Sequence, residues 1–371
     1  MENKHPDRSV TTPMTKAEET LSHQSNITST TKAKMEQKDL HMSAPKHLKE
    51  AFKLYKQTTY SAAQDSHSSA GLDDLCRVGL PGESLPAKAR SIIFKKFMNT
   101  VPSIGPMSPN YEQPFSESQP EGLSYGSEVI PGLKVFPSLI PPQIQKELIR
   151  RIVHRDLLDP KHMTNLHAHY DVKFPPSETA SGDSIVAMPK DPTVHPKSLN
   201  YREVMTKKLR WITLGGQYDW TNKVYPEEEP PKFPVDIANL VEGLFPDMEP
   251  QAAIVNFYSP KDTLQLHRDG AESVDRGLVS ISLGCDCIFM IALSNPKSDK
   301  DHIAIRLESG DVLYMQEESR FAWHGVPKII PGTCPEYLTQ LEMDINEFSQ
   351  FMVDKRINLN VRQVRERESV I

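Results

Sequence analysis

Two short stretches carry side chains suited to chemistry, Asn256-Phe257-Tyr258 and His267-Arg268-Asp269. In an extended strand, alternate side chains share a face. Asn256 and Tyr258 therefore point one way together, and so do His267 and Asp269. A neutral imidazole and a carboxylate side by side suit a hard-to-borderline divalent metal. One more ligand would complete a facial triad with open coordination positions. His324, in Trp323-His324-Gly325 at the end of a predicted strand, is the candidate. Further on, Ile357, Leu359 and Val361 form an apolar face, while Arg356, Asn358, Asn360 and Arg362 form a polar one. A solvated edge strand would read the same way. Two guanidiniums on one face also suit an anionic ligand, because Arg binds a carboxylate bidentately.

Spacing by itself is weak evidence, since His-x-Asp occurs three times in this chain. His154-Arg155-Asp156 falls at the end of a predicted helix, where positions i and i+2 diverge by roughly 200°, so it chelates poorly. It also spells the catalytic-loop triplet of protein kinases, but no glycine-rich loop accompanies it. His167, His169 and Asp171 would share a face if extended, a zinc-like set. No strand framework surrounds them and Pro175-Pro176 follows closely, so a surface or pocket-rim role fits better.

The elements that must hold the third copy are short strands. The pattern predicts Ala253–Tyr258, Thr263–His267, Leu278–Leu283, Ile288–Leu293, His302–Leu307, Asp311–Met315, Arg320–His324 and Arg356–Val364. Turn residues such as Gly277, Asn295-Pro296 and Ser309-Gly310 separate them. Such a run without intervening helices argues for a sandwich or jelly roll. Leu338–Met352 interrupts it and is predicted helical.

Upstream, Val129–Phe136 suits a strand, and Pro142 begins a helix carrying Ile144, Leu148, Ile149, Ile152 and Val153 at helical spacing. Helices are predicted over Tyr201–Arg210 and Val235–Phe245, a strand over Trp211–Leu214, and a loop over Pro226–Pro234. Leu48–Gln57 is predicted helical, with Leu48, Phe52, Leu54 and Tyr55 inward. Ala87–Met98 is predicted helical through Ile92, Ile93 and Phe97. The fold class is therefore α+β and mainly β. Residues 1–46 are expected to be a disordered tail, 47–127 a helical and irregular wrapping segment, and 128–371 the functional domain with its core over 211–364.

Composition narrows the function classes. Only 37% of residues are hydrophobic and mean hydropathy is −0.49, low for a fully folded chain of 371 residues. The Ser-, Thr- and Lys-rich N-terminus cannot bury enough surface to offset its ordering entropy. A net charge of −6 argues against a broadly basic scaffold. The four cysteines, Cys76, Cys285, Cys287 and Cys334, form neither a zinc pattern nor a secreted disulfide framework. No apolar run reaches membrane-spanning length. The expected setting is intracellular, whether nucleus, cytoplasm or mitochondrion, for a monomer without a membrane partner.

The ordered set Asn256-x-Tyr258, His267-x-Asp269, His324 and Arg356-x-Asn358-x-x-x-Arg362 resembles the AlkB family of Fe(II)/2-oxoglutarate dioxygenases. The likeness runs from 207 to 364. It takes in Arg210-Trp211-x-Thr213-x-Gly215-x-x-Tyr218-x-Trp220, Ser280-Ile281-Ser282-Leu283-Gly284, Gly310-Asp311 and Ser319-Arg320. It looks most like the eukaryotic homologue-1 branch, in a fungal form.

The resemblance implies a double-stranded β-helix, the jelly roll, with supporting helices. It implies that His267, Asp269 and His324 bind Fe(II). It implies that 2-oxoglutarate and dioxygen take the open positions, with Arg356, Asn256, Tyr258, Asn358 and Arg362 around the cosubstrate. The implied reaction is oxidative demethylation of N-alkylated nucleobases in RNA, such as tRNA, or in DNA. It releases formaldehyde, succinate and carbon dioxide. Trp211 and Tyr218 match positions near the nucleotide lid, though core packing explains them equally well. Glu272 matches an acidic position after the metal motif. Ala271 and Asn360 depart from the relatives' pattern at positions tied to base preference. A protein substrate such as a histone, or a non-enzymatic nucleic-acid-binding module, are the alternatives. Lys207, Lys208, Arg210, Arg365 and Arg367 suit phosphate or a solvated face.

Overall fold

Strands in which every second residue is apolar make up the middle layers of the molecule. The computed structural model describes residues 42–59, 80–101, 122–175, 179, 181–293, 295, 302–341 and 351–366. The expected N-terminal tail lies almost wholly outside the described residues, as does the middle of the expected Leu338–Met352 helix.

In chain order the elements begin with α1 (Lys46–Gln57), β1 (Leu80–Leu85), α2 (Ala87–Thr100), β2 (Gly122–Gly126) and β3 (Leu133–Phe136). Helix α3 (Pro142–Arg151) continues as a π-helical turn over Ile152–Asp156. Strands β4 (Tyr170–Val172), β5 (Ile185–Pro189) and β6 (Leu199–Asn200) make a small sheet of their own. Then come α4 (Tyr201–Glu203), β7 (Trp211–Gly215), α5 (Val235–Leu244), β8 (Ala252–Tyr258), β9 (Leu264–His267), β10 (Leu278–Gly284) and β11 (Cys287–Ala292). The chain ends with β12 (His302–Leu307), β13 (Val312–Met315), β14 (Trp323–Ile329), α6 (Glu336–Thr339) and β15 (Arg356–Arg362).

Two antiparallel sheets carry the architecture. One has the order β1-β2-β3-β13-β10-β15-β8-β7, the other β12-β11-β14-β9. The period-two pattern explains the layering. Val255, Phe257, Ile281, Leu283, Leu359 and Val361 face the helices, where Phe97, Leu148 and Leu240 meet them in one core. The opposite face gives Tyr258, Leu278 and Leu313 to a second core shared with Phe289, Ile291 and Ile305 of the smaller sheet. Helix α1 seals that sheet's outer face by packing Leu48 and Phe52 with Met290 and Trp323. Each fully buried side chain of this size contributes about 1.5–3 kcal/mol.

Several expectations are corrected. Leu54 is 63% exposed, because α1 turns only Leu48, Phe52 and Tyr55 inward. Ile92 is 61% exposed, and Phe94 joins Phe97 in the core instead. The early strand is confined to Leu133–Phe136, because the preceding chain bends at Gly132 with φ of 82°. The expected Arg320–His324 strand is a 3-10 turn over Glu317–Phe321, capped by Ser319, with β14 starting after it. The expected Tyr201–Arg210 helix is one α-turn followed by a π-helical turn. The β4–β6 sheet was not anticipated, since its strands are short and half-exposed.

Candidate active site

Strands β9 and β14 pair with His267 directly opposite His324. Their ring centroids lie 4.3 Å apart. Gly325 makes this approach feasible: a Cβ there would stand 2.7 Å from the Leu264 carbonyl oxygen. The pairing also slips between His324 and Val326, which re-aims the strand at this point.

Each imidazole is held in one tautomer. His267 Nδ1 lies 2.9 Å from the Gln265 carbonyl and His324 Nδ1 lies 3.0 Å from that of Ala322. A carbonyl only accepts, so each Nδ1 carries the proton and each Nε2 keeps its lone pair. Asp269, in the loop after β9, places Oδ1 3.8 Å from His267 Nε2 and Oδ2 3.7 Å from His324 Nε2. These separations are too long for hydrogen bonds. The three ligand atoms lie within 4.8 Å of one another, the one such His/Cys/Asp/Glu group found among the described residues. Asp269 Oδ2 is buried without a hydrogen-bond partner. Arg362 Nη2 stands 3.3 Å from that oxygen as an ion pair; the two imidazole lone pairs and the carboxylate still converge on one space, an arrangement that a cation among them would stabilise. The N₂O donor set fits Fe(II) with positions left open.

Electrostatics support the same reading. Burial lowers the His324 pKa to about 4, so its ring is neutral. Burial pushes the Asp269 carboxyl up, but the charge of the neighbouring Arg362 guanidinium outweighs it and holds the group well below the ordinary carboxylate range.

The polar face of β15 continues from this cluster. Pairing with β8 sets Arg356 opposite Tyr258 and Asn358 opposite Asn256. Pairing with β10 supplies Ser282 to Arg356 Nη2 at 3.0 Å and Ser280 to Asn358 Nδ2 at 2.8 Å. Arg356 Nε and Tyr258 Oη are buried and have no partner. Leaving such donors unmade is costly, and a carboxylate-bearing ligand would satisfy both. Asn358 Nδ2 is already spent on Ser280 and the Ile281 carbonyl, so its amide nitrogen braces β10.

A cavity of about 420 Å³ opens beside the cluster, lined by Tyr218, Trp220, Asn256, His267, Asp269 and Arg362 among others. Tyr218 stands edge-on to Trp220, with centroids 4.8 Å apart at 87°. Burial, then the Asp269 charge, pushes the Tyr218 hydroxyl up to about 12, so it remains a donor. Two expected substrate residues sit elsewhere. Trp211 is half-buried against Trp220 at 5.0 Å and is absent from the cavity wall. Glu272 has a side chain only 1% exposed, held by Arg320 Nη2 at 2.7 Å and Arg362 Nη1 at 3.1 Å. Its carboxylate is consumed by buried ion pairs and does not line the cavity.

Sequence reasoning left Trp220, Ser280 and Ser282 without roles. The Tyr218-x-Trp220 alternation and the two serines on one face of an apolar strand were the available signals. The rival set does not assemble: His167 Nδ1 accepts the Thr164 N–H at 2.9 Å, His169 packs on His195, and Asp171 is exposed.

Comparison with known proteins gives a consistent picture. The 2OG-Fe(II) oxygenase superfamily matches residues 132–362. The chain is 46% identical over 282 residues to the N6-methyladenosine RNA demethylase ALKB1 of Pyricularia oryzae, covering 68% of this chain and 80% of that protein. It is 36% identical over 292 residues to the tRNA demethylase abh1 of Schizosaccharomyces pombe, covering 73% and 93% respectively. It is 26% identical over 277 residues to the human nucleic acid dioxygenase ALKBH1, covering 68% of each. The matched span runs from β3 to β15 and so contains the smaller facing sheet, the larger one without β1 and β2, the His/Asp cluster and the cavity wall. The chain belongs to the 2OG-Fe(II) oxygenase superfamily, in the AlkB-like homologue-1 branch.

Proposed function

We propose that this protein oxidatively demethylates N-methylated nucleobases in RNA, with DNA as a related substrate, using Fe(II), 2-oxoglutarate and dioxygen. The observation that carries the reading is the convergence of His267, Asp269 and His324, the first two of which line a cavity shared with Tyr218 and Trp220. The names of the fungal relatives, RNA and tRNA demethylases, support the substrate class. We also read the two facing sheets as the jelly roll of this superfamily.

His267 Nε2, His324 Nε2 and Asp269 would hold Fe(II). Arg356 and Tyr258 would anchor the far carboxylate of 2-oxoglutarate, with Asn256 beside them and Asn358 holding β15 against β10. Bound together, Fe(II), 2-oxoglutarate and dioxygen supply an oxidation that hydroxylates the methyl carbon, forming succinate and carbon dioxide; the hydroxymethyl product then loses formaldehyde. The protein's own work is to fix the donors, exclude water and present the methyl group. Tyr218 and Trp220 offer an aromatic wall against which a splayed-out base can stack. No proton-transfer residue is required, because loss of formaldehyde proceeds without further catalysis.

The test is formaldehyde and succinate release from the Fe(II)-loaded protein with RNA oligonucleotides carrying N6-methyladenosine, methylated tRNA and methylated DNA. Coupled release with RNA is expected. Turnover on histone peptides with none on nucleic acid would replace the substrate class. Loaded protein that turns over no substrate would overturn the reading.

A further inference from the structure

Three buried charges, Arg320, Arg362 and Glu272, sit together beside the half-buried Asp269 of the candidate metal site. Glu272 is central to them. Its Oε2 accepts from Arg320 Nη2 at 2.7 Å and its Oε1 from Arg362 Nη1 at 3.1 Å, one oxygen for each guanidinium. Arg320 then reaches the backbone. Its Nη1 donates to the Asp269 carbonyl at 3.2 Å and its Nε to the Arg276 carbonyl at 3.0 Å. It thus clamps both ends of the loop that carries Asp269. Within that loop, Ser273 donates from N and Oγ to the Val364 carbonyl at 2.9 and 2.8 Å, tying the loop to the chain after β15.

Arg362 is shared. Its Nη2 stands 3.3 Å from Asp269 Oδ2, while its Nη1 is bonded to Glu272. A cation bound by Asp269 draws that carboxylate's charge away from Arg362. Glu272 is then the partner that keeps the buried guanidinium compensated, which matters because an unpaired buried charge is strongly unfavourable. Without Glu272, Asp269 is the one carboxylate among the described residues that is ion-paired with Arg362, which then competes with the metal for it.

We propose that Glu272 is a positioning residue rather than a reader of substrate. By engaging Arg320 and Arg362 it fixes the Asp269 loop and frees the Asp269 carboxylate for the metal. This inference rests on the metal reading of His267, Asp269 and His324.

The test is titration of the full-length chain with Co(II) alone, followed by the visible absorption of the bound ion, with thermal melting as a check on folding. Glu272→Gln keeps the size and removes the charge. It is expected to weaken Co(II) binding about 10–100-fold and to alter the Co(II) bands, as loss of a group orienting a metal ligand does. Glu272→Asp keeps the charge and is expected to recover part of the affinity. On the Fe(II)-saturated enzyme, KM for methylated RNA should stay at the wild-type value. Wild-type Co(II) affinity in Glu272→Gln, with only the RNA KM raised, would make Glu272 a substrate contact and overturn the proposal. If Glu272→Gln does not fold, Arg320→Lys serves, since it keeps the charge but loses the fork onto the two loop carbonyls. About tenfold weaker Co(II) binding is expected of it, and unchanged binding overturns the proposal. Wild-type protein that takes up no Co(II) would instead overturn the metal reading, and this inference with it.

Discussion

The stretches around His267 and His169 have the same His-x-Asp spacing, both at strand ends, yet only one gathers a ligand set. In the first, backbone carbonyls take the Nδ1 protons of His267 and His324, so both Nε2 lone pairs face Asp269. In the second, the Thr164 N–H occupies the Nδ1 lone pair of His167, and Asp171 points to solvent. The third copy, His154-Arg155-Asp156, sits in a π-helical turn. Its Asp156 pairs with Arg155, which reaches Asp236 beside the fully buried Arg151. The same three letters thus give a metal-type cluster, a capped turn and a structural ion-pair network. A neighbouring strand that delivers the third donor makes the difference.

The largest effects should come from exchanging these regions' roles. His267→Ala, Asp269→Ala or His324→Ala should abolish Co(II) binding and reduce turnover by about a thousandfold or more, since the metal carries the hard chemistry. His169→Ala and Asp171→Ala should leave Co(II) affinity unchanged by the same titration. Arg356→Met should raise the KM for 2-oxoglutarate roughly 30-fold or more, the cost of truncating one partner of a buried charge pair, with Co(II) binding intact. In the third region, Asp236→Ala should destabilise the fold by about 1.5–3 kcal/mol, because Arg151 and Arg155 lose a shared charged acceptor while keeping Glu147 and Asp156. Urea denaturation reads that loss, and the folded fraction should bind Co(II) as the wild type does. Gly325→Ala should cost about 1–3 kcal/mol of stability by overpacking and should weaken Co(II) binding, because β9 must move away from β14. The smallest effect is one of pH. Folding holds His324 neutral down to about 4. The unfolded imidazole takes up a proton below about 6.5. The metal-free protein should therefore lose stability as pH falls through that window, read as a falling melting temperature.

Much of this site was legible in the sequence because strands announce their faces. The alternation in Arg356–Arg362 separated Arg356, Asn358 and Arg362 from Ile357, Leu359 and Val361, and the sheet keeps that division. Trp211 and Glu272 stand outside the cavity wall for a shared reason. An aromatic near a lid and a carboxylate after a metal motif look available in one dimension. Whether Trp220 covers the first, and two arginines engage the second, depends on residues distant in sequence. Arg320 was assigned to a strand because its neighbours are apolar, but the Ser319 cap curls the chain before β14 begins.

The sequence determined the periodic features, namely the apolar alternation that makes two sheets, the His-x-Asp pair and the polar face of the last strand. These depend on local backbone geometry, which each residue's neighbours impose. Only the tertiary structure decided that His324 stands opposite His267 in register, that both rings keep their Nε2 lone pairs free, and that Glu272 turns inward to two arginines. Those outcomes depend on strand register and on where buried charges find partners. Contacts between residues 44 to 90 positions apart, such as Arg320 with Arg276 and Arg362 with Glu272, set them.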